Sequence, residues 1–337
     1  MSKTTSISEM QKFHFGSRII FSDGEEGILL NVIFDPATRR LTHISVKQGR
    51  IFGKTVLLPY STVVNATGDG VTLNINRADA TTAAAAASSV SGAGALLDNK
   101  SVVENASSSA KGTLMMVALY PENAELAYLV AHHLRPGQNT LLRQKFVTDI
   151  GTGYVKVNIP DTILNELPPY RPDAVLQQEV EAILFDFTPF HVDLKGITVR
   201  VLDSVLYLDG NISSSLRGDI ARDQVLGVPG LLEIKNNLIG DDRLAADLAM
   251  ALGSDPRTRD LPMGVYPRLG VVRLSGSVHT AQQKAAAEEI ATSFPGVSSV
   301  INDLIVDPKA DILRVMSPAE SGEADDKVPG KYIRHTK

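Results

Sequence analysis

The sequence contains no cysteine and no tryptophan, and only 5% of its residues are aromatic. Without cysteine there is no disulfide, no thiolate metal site and no cysteine nucleophile, which removes several enzyme classes together. With so few aromatics, a recognition surface built on aromatic anchors has to be small. Charge of one sign is scarce as well. A formal net charge of -5 over 337 residues gives no general electrostatic reason to hold nucleic acid or an anionic bilayer, both of which call for clustered Lys and Arg. No stretch approaches the roughly 20 apolar residues of a membrane helix. Residues 1–15 are polar, include Glu9 and lack the apolar core of a signal peptide. The expectation is a soluble chain, cytoplasmic by default, with peripheral membrane contact still open to it.

What is present is the composition of a folded protein, 43% hydrophobic and 21% charged, long enough for two to four small domains. Two segments lack patterning. Residues 78–95 are nearly all Ala, Thr, Ser and Gly; alanine favours helix, but the Ser, the Gly and the lack of an amphipathic face predict a flexible linker. The tail from about Ser317 carries Glu320, Glu323, Asp325 and Asp326 without apolar periodicity.

Internal similarity is the strongest signal. In the N-terminal half, Gly27, Leu29, Val32, Pro36 and Leu41 recur at constant spacing as Gly112, Leu114, Val117, Pro121 and Leu126. After a one-residue gap, Leu57, Leu58, Val63, Val71, Asn74 and Ile75 recur as Leu141, Leu142, Val147, Val155, Asn158 and Ile159. Short apolar runs between Asp35-Pro36, Gly68-Asp69-Gly70 and Gly151-Thr152-Gly153 read as strands and tight turns, and predict small β-barrels. In the C-terminal half, Leu208, Gly210, Ala221, Pro229, Gly230, Asn236 and Leu238 recur as Leu274, Gly276, Ala287, Pro295, Gly296, Asn302 and Leu304. Each copy reads helix, strand, strand, helix, strand. Thr280 and Gln283 have capping-box spacing, Ala287, Ile290, Ala291 and Phe294 fall on one helical face, and Pro295-Gly296 ends that helix in a turn.

The segment Ile197-Thr-Val-Arg-Val201, Val205 to Ile212, Ala221 and Val228-Pro-Gly230, with its echo Val271 to Val278, Ala287 and Phe294-Pro-Gly-Val297, resembles the BON domain of osmotically induced and envelope-associated bacterial proteins. Gly27 to Asp35, Leu41 to Val46, Val56-Leu-Leu-Pro-Tyr60 and Val71 to Ile75 resemble the PRC-barrel domain. The second copy departs from that pattern, with Arg143-Gln144 where the first has Pro59-Tyr60. These resemblances imply an α+β protein: two small PRC-like β-barrels, able to pack as an internal pseudo-dimer, followed by two BON-like α/β sandwich units. The expected boundaries are 13–77 and 96–171 for the barrels, 78–95 for the linker, 172–240 and 241–308 for the BON-like repeats, and 309–337 for a mostly disordered tail. BON domains are similar to one another in serving phospholipid surfaces or envelope partners, and PRC barrels in docking other macromolecules.

Candidate chemistry is thin. His132 and His133 are adjacent, so on a regular strand they would face opposite sides and share no metal ion. Ser108-Ser-Ala-Lys111 fits SxxK but precedes a strand and lacks its companion motifs. Neither Gly92-Ala-Gly94 nor Gly151-Thr-Gly153 continues into a phosphate-binding pattern. In the helix predicted over 175–187, Leu176, Val180, Ile183, Leu184 and Phe187 form one face, and Phe185 points away from it. Phe185 and Phe190 are therefore candidate partner or lipid contacts, against the plainer reading of an intramolecular interface. The equivalent helix of the second repeat opens Asp241-Asp242-Arg243 and continues to Asp247, an acidic start that would repel an anionic bilayer. The expected function is a non-catalytic multivalent scaffold or adaptor, with no catalytic residues, cofactor or metal, binding protein partners, itself or a phospholipid surface, and no nucleic acid. The alternative is a structural protein that self-assembles into rings or filaments.

Overall fold

The computed structural model describes residues 5–49, 53–87, 94–187 and 191–309. The chain forms two compact units, one of Met1–Asp209 with Gly218–Leu238, the other of Gly210–Arg217 with Ile239–Lys337. It is a mixed α+β fold in which strands predominate. The β-rich region runs β1 (Gln11–His14), β2 (Arg18–Ile20), β3 (Glu26–Asp35), β4 (Arg40–Gln48), β5 (Thr55–Pro59), β6 (Val63–Thr67), β7 (Gly70–Leu73), α1 (Arg77–Ala87), β8 (Ala95–Leu97) and β9 (Val102–Asn105). It continues with β10 (Lys111–Leu119), β11 (Leu126–Arg135), β12 (Gln138–Arg143), β13 (Val147–Gly151), β14 (Tyr154–Val157), α2 (Asp161–Glu166) and β15 (Pro169–Tyr170).

Two sheets result, with the orders β5-β4-β3-β2-β7-β6 and β12-β11-β10-β9-β14-β13, so the strands follow one plan twice. In each plan a parallel pair, β2 with β7 or β9 with β14, sits among antiparallel neighbours. The first strand of each half is exchanged. β1 pairs with β10 of the other half, Phe13 lying opposite Val117, and β8 pairs with β3, Leu97 lying opposite Val32. The contact is reciprocal at a second place, where Leu41 N–H donates to Ala124 O at 2.9 Å and Leu126 N–H to Arg39 O at 3.0 Å. Such matched bonds are the mark of a two-fold contact. Alternating apolar residues on these strands, among them Phe13, Leu29, Val32, Leu58, Leu114, Val117, Leu129 and Val155, meet in one continuous core.

This arrangement corrects the expected pair of closed barrels. The sheets stay open, because each half sends its first strand to its neighbour. Their edges are managed in other ways: α1 packs on β5, and β15 pairs with β12. The linker is corrected as well, since α1 covers 78–87 of the stretch read as flexible. Asn76 caps that helix, its side-chain oxygen accepting from Asp79 N–H at 2.7 Å, and Ala80 is buried in the shared core. Capping and one packed alanine let alanine's propensity prevail over the missing amphipathic face. Residues 88–93 of the expected linker and 310–337 of the expected tail lie outside the described residues.

Two α+β segments follow, each built helix, strand, strand, helix, strand. The first has α3 (Asp173–Asp186), β16 (Ile197–Leu202), β17 (Val205–Ile212), α4 (Ser215–Val225) and β18 (Glu233–Gly240). The second has α5 (Asp241–Ser254), β19 (Met263–Arg268), β20 (Val271–Val278), α6 (Ala281–Ser293), β21 (Ser299–Asn302) and a short β22 (Ile305–Val306). β17 and β20 are central in their sheets. The Thr280–Gln283 capping box forms, and Ala287 and Ala291 of α6 are buried. Each hairpin closes in two residues of positive φ, Asp203 and Ser204 at 52° and 62°, Leu269 and Gly270 at 49° and 84°, the backbone of a turn matched to strand twist. The opening aspartate of each first helix holds the turn. Asp173 accepts from Asp203 N–H and Ser204 N–H at 2.7 and 2.9 Å, and Asp241 accepts from Leu269 N–H at 2.8 Å.

Gly276 of β20 has φ +116°, and a Cβ there would lie 2.2 Å from Pro262 O. Gly276→Ala is therefore expected to destabilise the second unit by at least about 1–3 kcal/mol. Gly253→Ala, on α5 with nothing within 4 Å of its Cβ, should instead stabilise it by roughly 0.5–1 kcal/mol. Paired thermal melts check both signs.

Candidate docking faces of the two α+β segments

In the first unit, the β16–β17 turn is pushed into the β-rich region. Asp203 is completely buried. His14 Nε2 of β1 lies 2.6 Å from its Oδ1, Gly68 N–H in the β6–β7 turn donates to Oδ2 at 2.8 Å, and Lys12 Nζ stands 3.8 Å from Oδ2. Around this contact, Arg200 Nη2 donates to Asp69 at 2.6 Å and Ser8 N–H to Glu233 at 2.8 Å. Burial pushes the Asp203 carboxyl up, but the hydrogen bond and charge of His14, the Lys12 charge and Gly68 N–H outweigh it and hold the group below its usual range. Lys12 is also nearly fully buried, and desolvation depresses its ammonium against the opposing pull of Asp203, Glu233 and Asp173. Burial keeps the nearby Tyr128 and Tyr170 phenols protonated far above neutrality. The cluster is a buried ion pair that fixes the outer sheet face of the first segment against β1 and the β6–β7 turn.

The same face of the second segment is open. Tyr266 is 59% exposed, Ile301 40% and Val271 37%, whereas Val205, at the position of Val271, is fully buried. Register places Tyr266 opposite Arg273 and Arg273 opposite Ile301, with Arg268 opposite Val271 in the next row. The result is an apolar strip bearing two guanidinium groups, in a shallow depression also lined by Pro267 and Leu269. Arg273 lies 3.4 Å from Asp303 in an exposed pair. Arg268 has no ion-pair partner among the described residues.

Of the two aromatic contacts expected from sequence, Phe185 is 63% exposed at the end of α3, its ring 5.6 Å from that of His191. Leu176, Val180 and Leu184 of the same helix are buried as predicted. Phe190 lies outside the described residues. His132 and His133 overturn the opposite-face expectation: their rings lie 3.7 Å apart, because β11 bulges and His133 takes φ 61°. No group able to hold a metal ion occurs among the described residues. Two of the acids opening α5 are engaged, Asp241 by Leu269 N–H and Asp242 by Ser215 N–H at 2.7 Å. A cleft of about 280 Å³ in the first unit is lined by Leu141, Phe146, Ile163, Leu167 and Tyr170, with Arg143 and Lys145 as its charged groups; this lining contains no carboxylate, histidine or hydroxyl nucleophile of the serine type. Sequence reasoning missed Asp203. Its one signal is a two-residue hairpin turn, Asp203-Ser204, that lacks the glycine of its counterpart Leu269-Gly270.

No helix among the described residues is long and apolar enough to cross a membrane. The chain is similar to the osmotically-inducible protein Y of Escherichia coli (strain K12), 28% identical over 159 residues that cover 43% of this chain and 77% of that protein. Two solved structures of CdsD, a structural protein of the type III secretion system of Chlamydia trachomatis, are more distant. The first is 18% identical, covers 39% of this chain and aligns with a TM-score of 0.32, the chain spanning 61% of its length. The second, of the C-terminal domain, is 18% identical over 41% of this chain and 68% of that one, with a TM-score of 0.34. The BON domain family matches residues 240–308, from the start of α5 to just beyond β22. The second α+β segment of this chain is a BON domain.

Proposed function

We infer that the chain is a non-catalytic scaffold that presents several docking faces from one polypeptide. The observation carrying this reading is the contrast between two like sheet faces, one buried against the β-rich region through Asp203 and the other open and lined by Tyr266, Val271, Ile301, Arg268 and Arg273. An apolar strip with cations at its margin suits a partner that is itself part apolar and part acidic. The shared strand plan of the two β-rich halves supports their reading as two PRC-like modules, and the common helix and strand order supports the first α+β segment as a second BON-like module. Modules tethered in one chain raise the effective concentration at every further contact. An exposed Phe185 offers a further contact on the first unit. The resemblance of BON modules to phospholipid-binding proteins keeps an anionic membrane surface among the candidate partners, with two arginines on the open face contributing about 1 kcal/mol each near such a surface.

The test is light scattering at two protein and two salt concentrations, together with flotation on phosphatidylglycerol vesicles. Association of either kind is expected, and Tyr266→Ser with Ile301→Ser should weaken it by about tenfold or more. A chain that stays at 36.2 kDa and does not float, or association indifferent to that double substitution, would remove the open face from the reading.

A further inference from the structure

The edge strands β5 and β12 hold the same place in the two β-rich sheets, and each runs into one turn of 3-10 helix, Tyr60–Thr62 or Gln144–Phe146. Their chemistry differs. At the spacing that brings Leu57 and Leu58 onto Leu141 and Leu142, Pro59 falls on Arg143 and Ser61 on Lys145. The turn is the same in both halves, so the fold does not call for these two cations. Along β12, Leu142 enters the shared core, and alternation turns Leu141 and Arg143 to the opposite face, where Arg143 lies opposite Tyr128. Arg143 is exposed and has no hydrogen-bond or ion-pair partner among the described residues.

This face borders the cleft of about 280 Å³ in the first unit. β15 pairs with β12 only at Asn139 and Thr140, because Pro168 has no N–H to carry the ladder on to Leu141. Beyond that point Phe146, Ile163, Leu167 and Leu231 give the cleft apolar walls. Its charged groups are both cations, Arg143 and Lys145, and Lys145 Nζ stands 4.9 Å from the centroid of the Phe146 ring. A second cleft adjoins the first at Leu141, Arg143 and Leu232. The acid bordering that one, Glu233, is already held by Lys235 at 2.7 Å and by Ser8 N–H at 2.8 Å, so it leaves Arg143 uncompensated. A peptide laid against these walls would need partners for its amides, where the cleft offers mostly hydrocarbon; an alkyl chain needs none.

We propose that this cleft binds a small amphiphilic carboxylate, an unbranched alkyl chain lying between β12, α2 and Leu231 with its carboxylate on Arg143 and Lys145 beside it. The volume is at the low end of small-molecule pockets, which selects a chain of medium length. The site goes beyond the scaffold reading and does not depend on it, since every lining residue belongs to the first unit and none to the open face of the BON domain.

Titration calorimetry of the full chain with hexanoate, octanoate and decanoate, each below its micelle concentration, tests the site. One ligand per chain is expected, bound about three- to fourfold more tightly for each added methylene until the cleft is filled. Decanol, which lacks the charge, should bind at least about tenfold more weakly than decanoate. Arg143→Ala with Lys145→Ala, both at exposed positions that folding tolerates, should weaken decanoate by about tenfold or more and leave decanol unchanged. Ile163→Glu, at an exposed position on the wall, sets an acid beside the ligand and should weaken decanoate as well. Equal affinity for decanoate and decanol, decanoate binding indifferent to the double substitution, or no binding at any chain length overturns the proposal. Flotation on phosphatidylglycerol vesicles that the double substitution abolishes, with no decanoate bound, assigns the two cations to a bilayer surface and overturns the cleft while leaving the scaffold reading standing. Failure of the scaffold reading is read separately, through Tyr266→Ser with Ile301→Ser, which should leave decanoate binding unchanged.

Discussion

Asp203→Ala should destabilise the first unit by about 3–5 kcal/mol, the cost of removing one member of a buried ion pair and leaving the other. Lys12 would keep its ammonium buried with its 3.8 Å partner gone, Gly68 N–H would lose its acceptor, and His14 its carboxylate. Asp203→Asn keeps the size of the side chain and an oxygen for Gly68 N–H, and should fall between the two. Urea unfolding followed by hydrogen exchange of peptides covering β1 and β10 localises the loss to this unit. The pH dependence has a definite sign. The folded carboxyl sits below its ordinary value near 3.8, so its contribution is complete above the unfolded-state value of about 3.9 and is lost as pH falls through the folded one. The gap between wild type and Asp203→Ala should therefore narrow below about pH 4. Lys12 acts on the alkaline side: its folded value lies below 10.5, so the cost of burying the charge is present at neutral pH and relieved as pH rises through that folded value. A gap of equal size at pH 3 and pH 7 would show that packing, and not charge, is what Asp203 supplies.

Phe13→Ala should be comparably severe, at about 3–5 kcal/mol. Phe13 is fully buried, lies opposite Val117 on the other half, and has its ring centroid 6.4 Å from that of Tyr60. It is thus the side chain by which a four-residue strand is held in a core belonging to both halves. Phe13→Leu, which keeps most of the volume, should cost less than about 1.5 kcal/mol. The reading from exchange is specific: peptides of β1 and of its partner β10 should lose protection together in Phe13→Ala, while β19 and β20 keep theirs. Uniform loss across both units would mean that β1 does not act locally.

Much of this architecture could be read from residue spacing. The recurrence of Gly27, Val32 and Leu41 as Gly112, Val117 and Leu126 revealed the duplicated β-plan, and that of Gly210 and Pro229 as Gly276 and Pro295 revealed the two α+β segments. Capping at Thr280 and the buried stripe Leu176, Val180, Leu184 were legible because they depend on neighbours three or four residues away. The exchange of β1 and β8 was not, since nothing local tells Phe13 to prefer Val117 over its own half. α1 was misjudged because its stability comes from a cap at Asn76 and from Ala80 reaching a core that spacing alone does not locate. Asp203 was passed over for the same reason: an aspartate in a turn reads as solvated until the surface it enters is known. The open face of the BON domain was not legible, because Tyr266, Arg273 and Ile301 come into one row only through strand register, and whether such a face is covered is decided by tertiary structure.

The exchanged strands also set the order in which the polypeptide can be completed. β1 leaves the ribosome with the first half but has no partner until β10 follows about a hundred residues later, and β3 keeps its edge at Val32 to Phe34 unpaired until β8 arrives. Contacts so distant in sequence slow folding, because the intervening loop must close before they form. During that interval the N-terminal half carries both an unpaired strand and the vacant edge of a sheet, the combination that lets nascent chains on neighbouring ribosomes trade strands. The duplication that gives the native protein its shared core thus also leaves each half with a sheet edge that only a strand distant in sequence can close.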